Sequence, residues 1–188
     1  PAHVEAIIEE ANQKIEGIVV THTHGDHSPA AAILAEKTGA SCIGMLSAMP
    51  RFQDASFKPD QTLTHHSVVE TDTCRLKAIH TPGHVDNHFC LLLEEDGVLL
   101  AGDHLMNGST VVIIPPQGDM RAYIQSLNDL LTYDIRSIAP GHGELMENPV
   151  ELIEHTITHR LRREKKVLDS LQKLSEASLS TLVVSVYD

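Results

Sequence analysis

The segment that most constrains this chain is a run of metal-binding residue types, Thr21-His22-Thr23-His24-Gly25-Asp26-His27, directly after the apolar residues Ile18-Val19-Val20. The apolar residues predict a short buried strand, and α/β proteins present chemical groups in the loops that follow strand ends. Three imidazoles and a carboxylate this close together cannot all be buried without partners, because each such burial costs several kcal/mol. A metal ion would satisfy them together, and this donor set suits Zn²⁺ well and Fe or Mn less specifically. The alternative is a His-rich polar loop on the surface.

Three further segments deliver a His or an Asp at the end of a predicted strand. They are Thr81-Pro82-Gly83-His84, Ala101-Gly102-Asp103 and Ala139-Pro140-Gly141-His142-Gly143. The glycine beside each of these residues permits turns that other residues adopt only with strain. Each segment alone is more typical of a turn than of a ligand. Four strand ends that each carry a His or an Asp, however, predict one convergent site.

Taken in order, these residues resemble the metallo-β-lactamase-fold hydrolases, a group that includes the glyoxalase II-type thioesterases. The HxHxDH motif occupies residues 22–27, and the resemblance extends from about residue 1 to residue 174. The segments 81–88, 101–103, 119–123, 140–143 and 159–164 are most similar to the β-lactamase-like protein 2 group. That group includes bacterial hydrolases of undefined substrate and mitochondrial single-strand endoribonucleases. The resemblance implies an α/β (α+β) fold, the four-layer αββα sandwich of this family, here without its N-terminal strands because only 21 residues precede the motif.

The resemblance also implies a set of metal ligands. His22, His24 and His84 would hold one divalent cation, Asp26, His27 and His142 would hold a second, and Asp103 would bridge the two. Two cations about 3.5–4 Å apart share one hydroxide, whose pKa falls towards neutrality. The expected cofactors are two divalent metal ions, zinc first and Fe or Mn as alternatives, with Asp26 and Asp103 as catalytic carboxylates.

Such a site predicts a dinuclear metal-dependent hydrolase whose metal-bridging hydroxide attacks an ester, thioester or related acyl substrate. One alternative is a single-strand-specific endoribonuclease of the β-lactamase-like protein 2 type. The acidic balance, 26 Asp and Glu against 14 Lys and Arg, and the few aromatic residues disfavour it, whereas the basic run at 160–166 favours it. A mononuclear iron persulfide-dioxygenase-like oxidoreductase and a non-catalytic binding module stabilised by metal also stay open. Asp103 disfavours hydrolysis of antibiotics, because the resemblance places this bridging carboxylate in the thioesterase and nuclease branches.

The remaining polar residues near the motif divide into two groups. Candidates for orienting a metal ligand or contacting substrate are Thr21, His88 and His104. Ser28 is predicted to cap the helix that follows. Structural or surface roles are predicted for the other histidines: His3, His65, His66, His80, His155 and His159.

Hydrophobic spacing and turn residues predict the elements around the site. Helices are predicted over 1–15, 30–38, 119–131 and 149–175, and strands over 18–20, 41–45, 62–69, 74–79, 89–93, 98–101 and 135–139. The first strand, the second helix and the next strand form a strand–helix–strand unit. The later strands predict antiparallel hairpins.

Composition and the chain ends indicate the cellular compartment and the extent of the native protein. The apolar runs, such as Leu91-Leu92-Leu93, are far shorter than the roughly 20 residues of a membrane helix, so no membrane association is predicted. Three cysteines in apolar segments favour reduced thiols in a cytoplasmic protein. A start at Pro1 and an apolar tail predict a longer native chain: residues 1–175 form an N-terminally incomplete domain, and 176–188 begin a truncated, winged-helix-like segment. The expected partner is a small acyl substrate, with RNA as the alternative, and homo-oligomerisation stays open.

Overall fold

The computed structural model describes residues 2–12, 14–51 and 53–187. The chain divides into two compact units, Pro1–Pro149 and Val150–Asp188, and each is described by itself. The elements of the first unit are, in chain order, α1 (Ala2–Glu10), β1 (Gly17–Val19), α2 (Pro29–Thr38), β2 (Ser41–Gly44), β3 (Gln61–Thr62), β4 (Val68–Glu70), β5 (Arg75–His80), β6 (Phe89–Leu93), β7 (Val98–Gly102), α3 (Met120–Leu130), β8 (Ser137–Pro140) and β9 (Met146–Glu147). The helices after β9 are α4 (Pro149–Leu174) and α5 (Leu179–Tyr187).

The first sheet contains three parallel strands in the order β1-β2-β3. Helix α2 connects β1 to β2, which confirms the predicted strand–helix–strand unit. Gly39 ends α2 with a φ of +73°, a conformation in which glycine has no Cβ penalty. Helix α1 is shorter than the predicted helix over 1–15, since Asn12 has a φ of +47° that interrupts the helical path. Pro1, the first residue of that prediction, lies outside the described residues.

The second sheet contains six strands in the order β4-β5-β6-β7-β8-β9, all antiparallel to their neighbours except the parallel pair β7–β8. The hairpin predicted from 89–93 and 98–101 is confirmed as β6–β7. The single strand predicted over 62–69 is wrong. A turn closed by the Ser67 N–H on the Thr64 carbonyl (3.0 Å), with His66 at a φ of +68°, separates β3 in the first sheet from β4 in the second.

The two sheets pack against each other through an aliphatic core. Ile43 of the first sheet shares one buried cluster with Ala78 and Leu91 of the second. The opposite face of the first sheet packs on α2 through Cys42 and Ala31. This mixed α/β architecture, with paired sheets covered by helices, confirms the predicted fold class and brings several strand ends to one region.

The second unit contains α4 and α5. Helix α4 ends one residue before the predicted boundary at 175. Within the unit, the Arg163 guanidinium lies over the Tyr187 ring at 4.5 Å, and the Ser185 hydroxyl donates to the Ser170 hydroxyl at 3.1 Å. None of the described helices is both long enough and apolar enough to cross a membrane. The assignment of 176–188 to a further segment stays a prediction.

Candidate metal centre

The structure brings all seven predicted ligands into one region, because each lies just after the C-terminal end of a strand. The motif residues occupy the loop between β1 and α2, His84 follows β5, Asp103 follows β7 and His142 follows β8. Three overlapping groups have all their ligand atoms within 4.8 Å of one another: His22, His24 and His84; His22, His27 and Asp103; and Asp26, His27 and His142.

The first group, His22 with His24 and His84, is the more enclosed. His84 Nε2 lies 3.0 Å from His24 Nδ1, and His22 is buried. His84 Nδ1 lies 2.6 Å from the Val112 carbonyl oxygen. Because a carbonyl only accepts hydrogen bonds, the proton is on Nδ1, and the Nε2 lone pair of His84 faces the group.

The second group, Asp26 with His27 and His142, is open to solvent on one side. His142 Nε2 lies 3.3 Å from His27 Nε2 and 3.4 Å from Asp26 Oδ2. The side chains of Asp26 and His142 are 62% and 49% exposed, against 11% for His27. Solvent or a substrate therefore reaches this group directly.

Asp103 lies between the two groups and presents one oxygen to each. Its Oδ2 is 3.7 Å from His84 Nε2, whereas its Oδ1 is 3.3 Å from His27 Nε2 and 3.6 Å from His142 Nε2. A carboxylate with its two oxygens directed to different ligand groups has the geometry of a bridge.

Burial and neighbouring charges set the protonation states. Burial, reinforced by the nearby His27, lowers the pKa of His22 to about 2, so the His22 imidazole is neutral at physiological pH. Burial disfavours charge on His27 as well, but Asp103 and Asp26 outweigh it and raise the pKa of His27. Burial alone would raise the pKa of Asp103, yet His27, His22 and His84 hold that pKa below its usual value. Asp103 is therefore ionised at physiological pH and favours a proton on His27. A metal cation could take the place of that proton.

Two buried atoms test whether metal ions fit here. His22 Nε2 is buried and has no hydrogen-bond partner within the part of the chain that the structure describes. The buried Asp103 Oδ1 has no hydrogen bond of good geometry there either, and contacts the Nε2 atoms of His27 and His142 as ion pairs at 3.3 and 3.6 Å. Such atoms are costly to bury unpaired. Neutral imidazoles and carboxylates are the donors that zinc and related divalent ions prefer. The residues present thus fit two divalent cations.

His88 connects the centre to the protein core. Its Nε2 accepts the backbone N–H of Asp103 at 3.1 Å, so its proton lies on Nδ1, which donates to the Thr81 hydroxyl at 2.8 Å. Gly102, at a φ of +48°, is required beside it, because a Cβ there would lie 2.7 Å from His88 Nε2. His88 thus orients the backbone of Asp103, one of the two roles that its sequence position suggests.

The other two candidates for an orienting role differ. The Thr21 hydroxyl lies 3.2 Å from His22 Nδ1 and can fix the orientation of that ring. His104 is buried behind Asp103, next to the Tyr123 ring at 4.9 Å, and neither of its ring nitrogens has a partner among the described residues. Burial lowers the pKa of His104 to about 3. Its side chain is fully buried inside the protein.

Ser28 is the N-cap residue of α2, as predicted, but its side chain makes no capping bond to the helix. Ser28 has helical dihedral angles, and its hydroxyl donates instead to Asp54 Oδ2 at 2.7 Å. The predicted structural roles agree with the contacts of His65, which accepts the backbone N–H of His80, and of His66, which bonds the Tyr133 hydroxyl.

Sequence reasoning missed two supports of the centre. The buried Asn87 donates from Nδ2 to the Thr23 hydroxyl and to the Met45 carbonyl, both at 2.8 Å, and so anchors the motif loop. Its position in the sequence, directly before the candidate His88, could have indicated a role near the site. The Val112 carbonyl that holds His84 has no signal in the sequence, because any residue supplies a carbonyl.

Comparisons with known proteins agree with this geometry. The sequence profile of the metallo-beta-lactamase superfamily matches residues 2–142. A beta-lactamase-like protein 2 homolog of Caenorhabditis elegans is 29% identical over 184 residues, covering 98% of this chain and 61% of the relative. An atrochrysone carboxyl ACP thioesterase of Aspergillus chevalieri is 30% identical over 178 residues, covering 91% of this chain and 52% of the relative. The chain therefore spans about half to three-fifths of the length of these curated relatives.

A solved structure shows the same fold. A metallo-beta-lactamase family protein from Thermus thermophilus superposes with a TM-score of 0.76 at 22% identity, covering 99% of this chain and 74% of the other.

Proposed function

This chain belongs to the metallo-beta-lactamase superfamily, and from that premise we propose that it is a dinuclear metal-dependent hydrolase of an ester, thioester or related acyl substrate. The observation that carries the proposal is the placement of Asp103, whose two oxygens face two separate ligand groups. The thioesterase among its relatives supports an acyl substrate.

In this proposal, His22, His24 and His84 would hold one cation, and Asp26, His27 and His142 would hold the other. Asp103 would contribute a carboxylate oxygen to each. Two divalent cations would supply the Lewis acidity that lowers the pKa of water and stabilises negative charge on the acyl oxygen. We favour zinc because most of the donors are imidazoles, with Fe or Mn as alternatives that elemental analysis decides.

The chain's own residues then bind, orient and handle protons. The exposed Asp26 carboxylate can accept a hydrogen bond from an incoming water, while the buried Asp103 is held by His88 through its backbone. Hydrolysis forms one carbon–oxygen bond, breaks the bond to the alcohol or thiol, and transfers a proton to that leaving group. The solvent-facing side of the second group gives the leaving group a way out.

A single-strand-specific endoribonuclease is the second candidate. Five bases within seven residues of α4 (Arg160, Arg162, Arg163, Lys165 and Lys166) favour a polyanion, whereas the formal charge of the chain, -12, opposes it. A third candidate is an iron-dependent persulfide dioxygenase, which would need one iron per chain.

We also propose a reducing, cytoplasmic setting, supported by the unpaired state of Cys42, Cys74 and Cys90.

The test is a parallel assay of metal-loaded protein on acyl thioesters, on p-nitrophenyl esters and on labelled single-stranded RNA. We expect acyl hydrolysis, and we expect Asp103→Asn to lower kcat/KM by about 100-fold or more, since even outer partners of metal ligands cost roughly 10–100-fold. Asp134→Asn is the matched control, because it removes an exposed carboxylate at the surface. Cleavage of RNA with intact esters would instead support the nuclease, and oxygen uptake with one iron per chain would support the dioxygenase.

A further inference from the structure

An apolar cavity of about 300 Å³ opens directly beside the first ligand group. Two of the proposed metal ligands form one side of it, and the loop before α3 forms the other. Its lining includes His24, His84, Val112, Ile114, Pro115 and Pro116.

The walls of this cavity are unusually apolar for an exposed loop. The side chains of Val112 and Ile114 are large and aliphatic, yet these residues are 58% and 66% exposed. Apolar surface of this kind next to a few convergent polar groups is typical of a ligand pocket. The described lining contains no Lys or Arg, so it offers no basic side chain to a phosphodiester.

Hydrogen bonds hold the loop in place. The Val112 carbonyl accepts from His84 Nδ1 at 2.6 Å, and the Ile114 carbonyl accepts the Gly118 N–H at 2.8 Å. The Gln117 amide donates to the Met49 carbonyl at 3.1 Å. The pocket is therefore formed before a ligand arrives, and its position relative to His84 is fixed.

We propose that this pocket binds the hydrocarbon part of the acyl group and makes the protein selective for medium-length acyl chains; the inference rests on the proposed hydrolase function. At roughly 30 Å³ per water-sized group, the cavity accommodates on the order of ten heavy atoms. A chain of about eight carbons fills it while its carbonyl carbon lies near His24 and His84. The leaving group then points towards the open side at Asp26 and His142.

The first experiment compares acetyl, butyryl, hexanoyl, octanoyl, decanoyl and dodecanoyl thioesters with the zinc-loaded protein. We expect kcat/KM to rise about fourfold for each buried methylene and to level off near eight carbons. In Ile114→Ser, the octanoyl-to-acetyl ratio of kcat/KM should fall about tenfold. Ile33→Ser, which removes an exposed isoleucine from α2, is the matched control and should keep the wild-type ratio.

A second measurement separates failure of the pocket from failure of the hydrolase. The probe is 2-octanone, a neutral ketone that cannot be hydrolysed, titrated into wild-type and Ile114→Ser protein by calorimetry. Tighter binding to the wild type without any ester hydrolysis would support the pocket and refute the hydrolase. Ester hydrolysis with rates independent of chain length would refute the pocket and leave the hydrolase standing. No binding and no hydrolysis would overturn both.

Discussion

The buried imidazole of His104 predicts a specific loss of stability in mild acid. Burial without a hydrogen-bond partner among the described residues lowers its pKa to about 3 from an ordinary value of 6.5. In the unfolded chain His104 takes up a proton below pH 6.5, but in the folded protein it does not. The free energy of unfolding therefore has its full value above pH 6.5 and decreases as the pH falls from there towards about 3. At pH 5 the loss is about 1.5 pH units at about 1.36 kcal/mol each, or about 2 kcal/mol.

The assay compares urea unfolding of metal-free wild type and His104→Gln at pH 7 and pH 5. Glutamine does not titrate, so the variant should lose about 2 kcal/mol less between the two pH values than the wild type does. Any packing cost of the substitution is present at both pH values and cancels in this difference. His3→Gln gives the reference for removing an exposed histidine. An equal pH dependence in His104→Gln and wild type would refute the argument, because His104 would then be protonated alike in both states.

Three further predictions concern the residues around the metal centre and the metal ions themselves. Gly83→Ala should lower the free energy of unfolding by about 3 kcal/mol or more, because φ is +146° and the new Cβ would lie 2.4 Å from Tyr123 Cα. Urea unfolding of the metal-free protein beside Gly25→Ala checks this, because a Cβ at Gly25 would meet no atom of the described residues within 4 Å apart from its chain neighbours. His88→Phe should weaken metal binding roughly 10–100-fold by removing the acceptor of the Asp103 N–H, with partial rescue in His88→Gln; competition against a chromophoric chelator measures it, and wild-type affinity in the Phe variant would contradict it. Chelating the metal from protein kept in free metal at 1,000 times its Kd should cost about 4 kcal/mol of stability for each occupied site by mass action, and an unchanged Tm after chelation would speak against resident ions.

Much of the centre could be predicted from the sequence because its residues follow recognisable strand ends. The apolar run before His22 and the glycines beside His84, Asp103 and His142 indicate where backbone turns present side chains. Strands β5, β7 and β8 run in the same direction in the second sheet, so their C-terminal ends lie at one edge of it. The end of β1, which belongs to the first sheet, reaches that edge through the Phe89 N–H, which donates to the Thr21 carbonyl at 2.8 Å.

Other features depend on contacts distant in sequence, and local patterns do not encode them. The hydrophobic pattern over 62–69 fits one long strand as well as two short strands in different sheets. The turn at His66 is what separates β3 from β4. Ser28 has the residue type of a cap, but a partner 26 residues away, Asp54, takes its hydroxyl. The pocket at Val112 and Ile114 exists because tertiary hydrogen bonds fix that loop.

Elemental analysis of protein purified without added metal is the measurement that tests the dinuclear centre most directly. Two divalent ions per chain are predicted for the wild type. About one is predicted for His142→Ala, which removes a ligand only from the solvent-exposed group. One ion per wild-type chain, with the same content in His142→Ala, would contradict the dinuclear assignment.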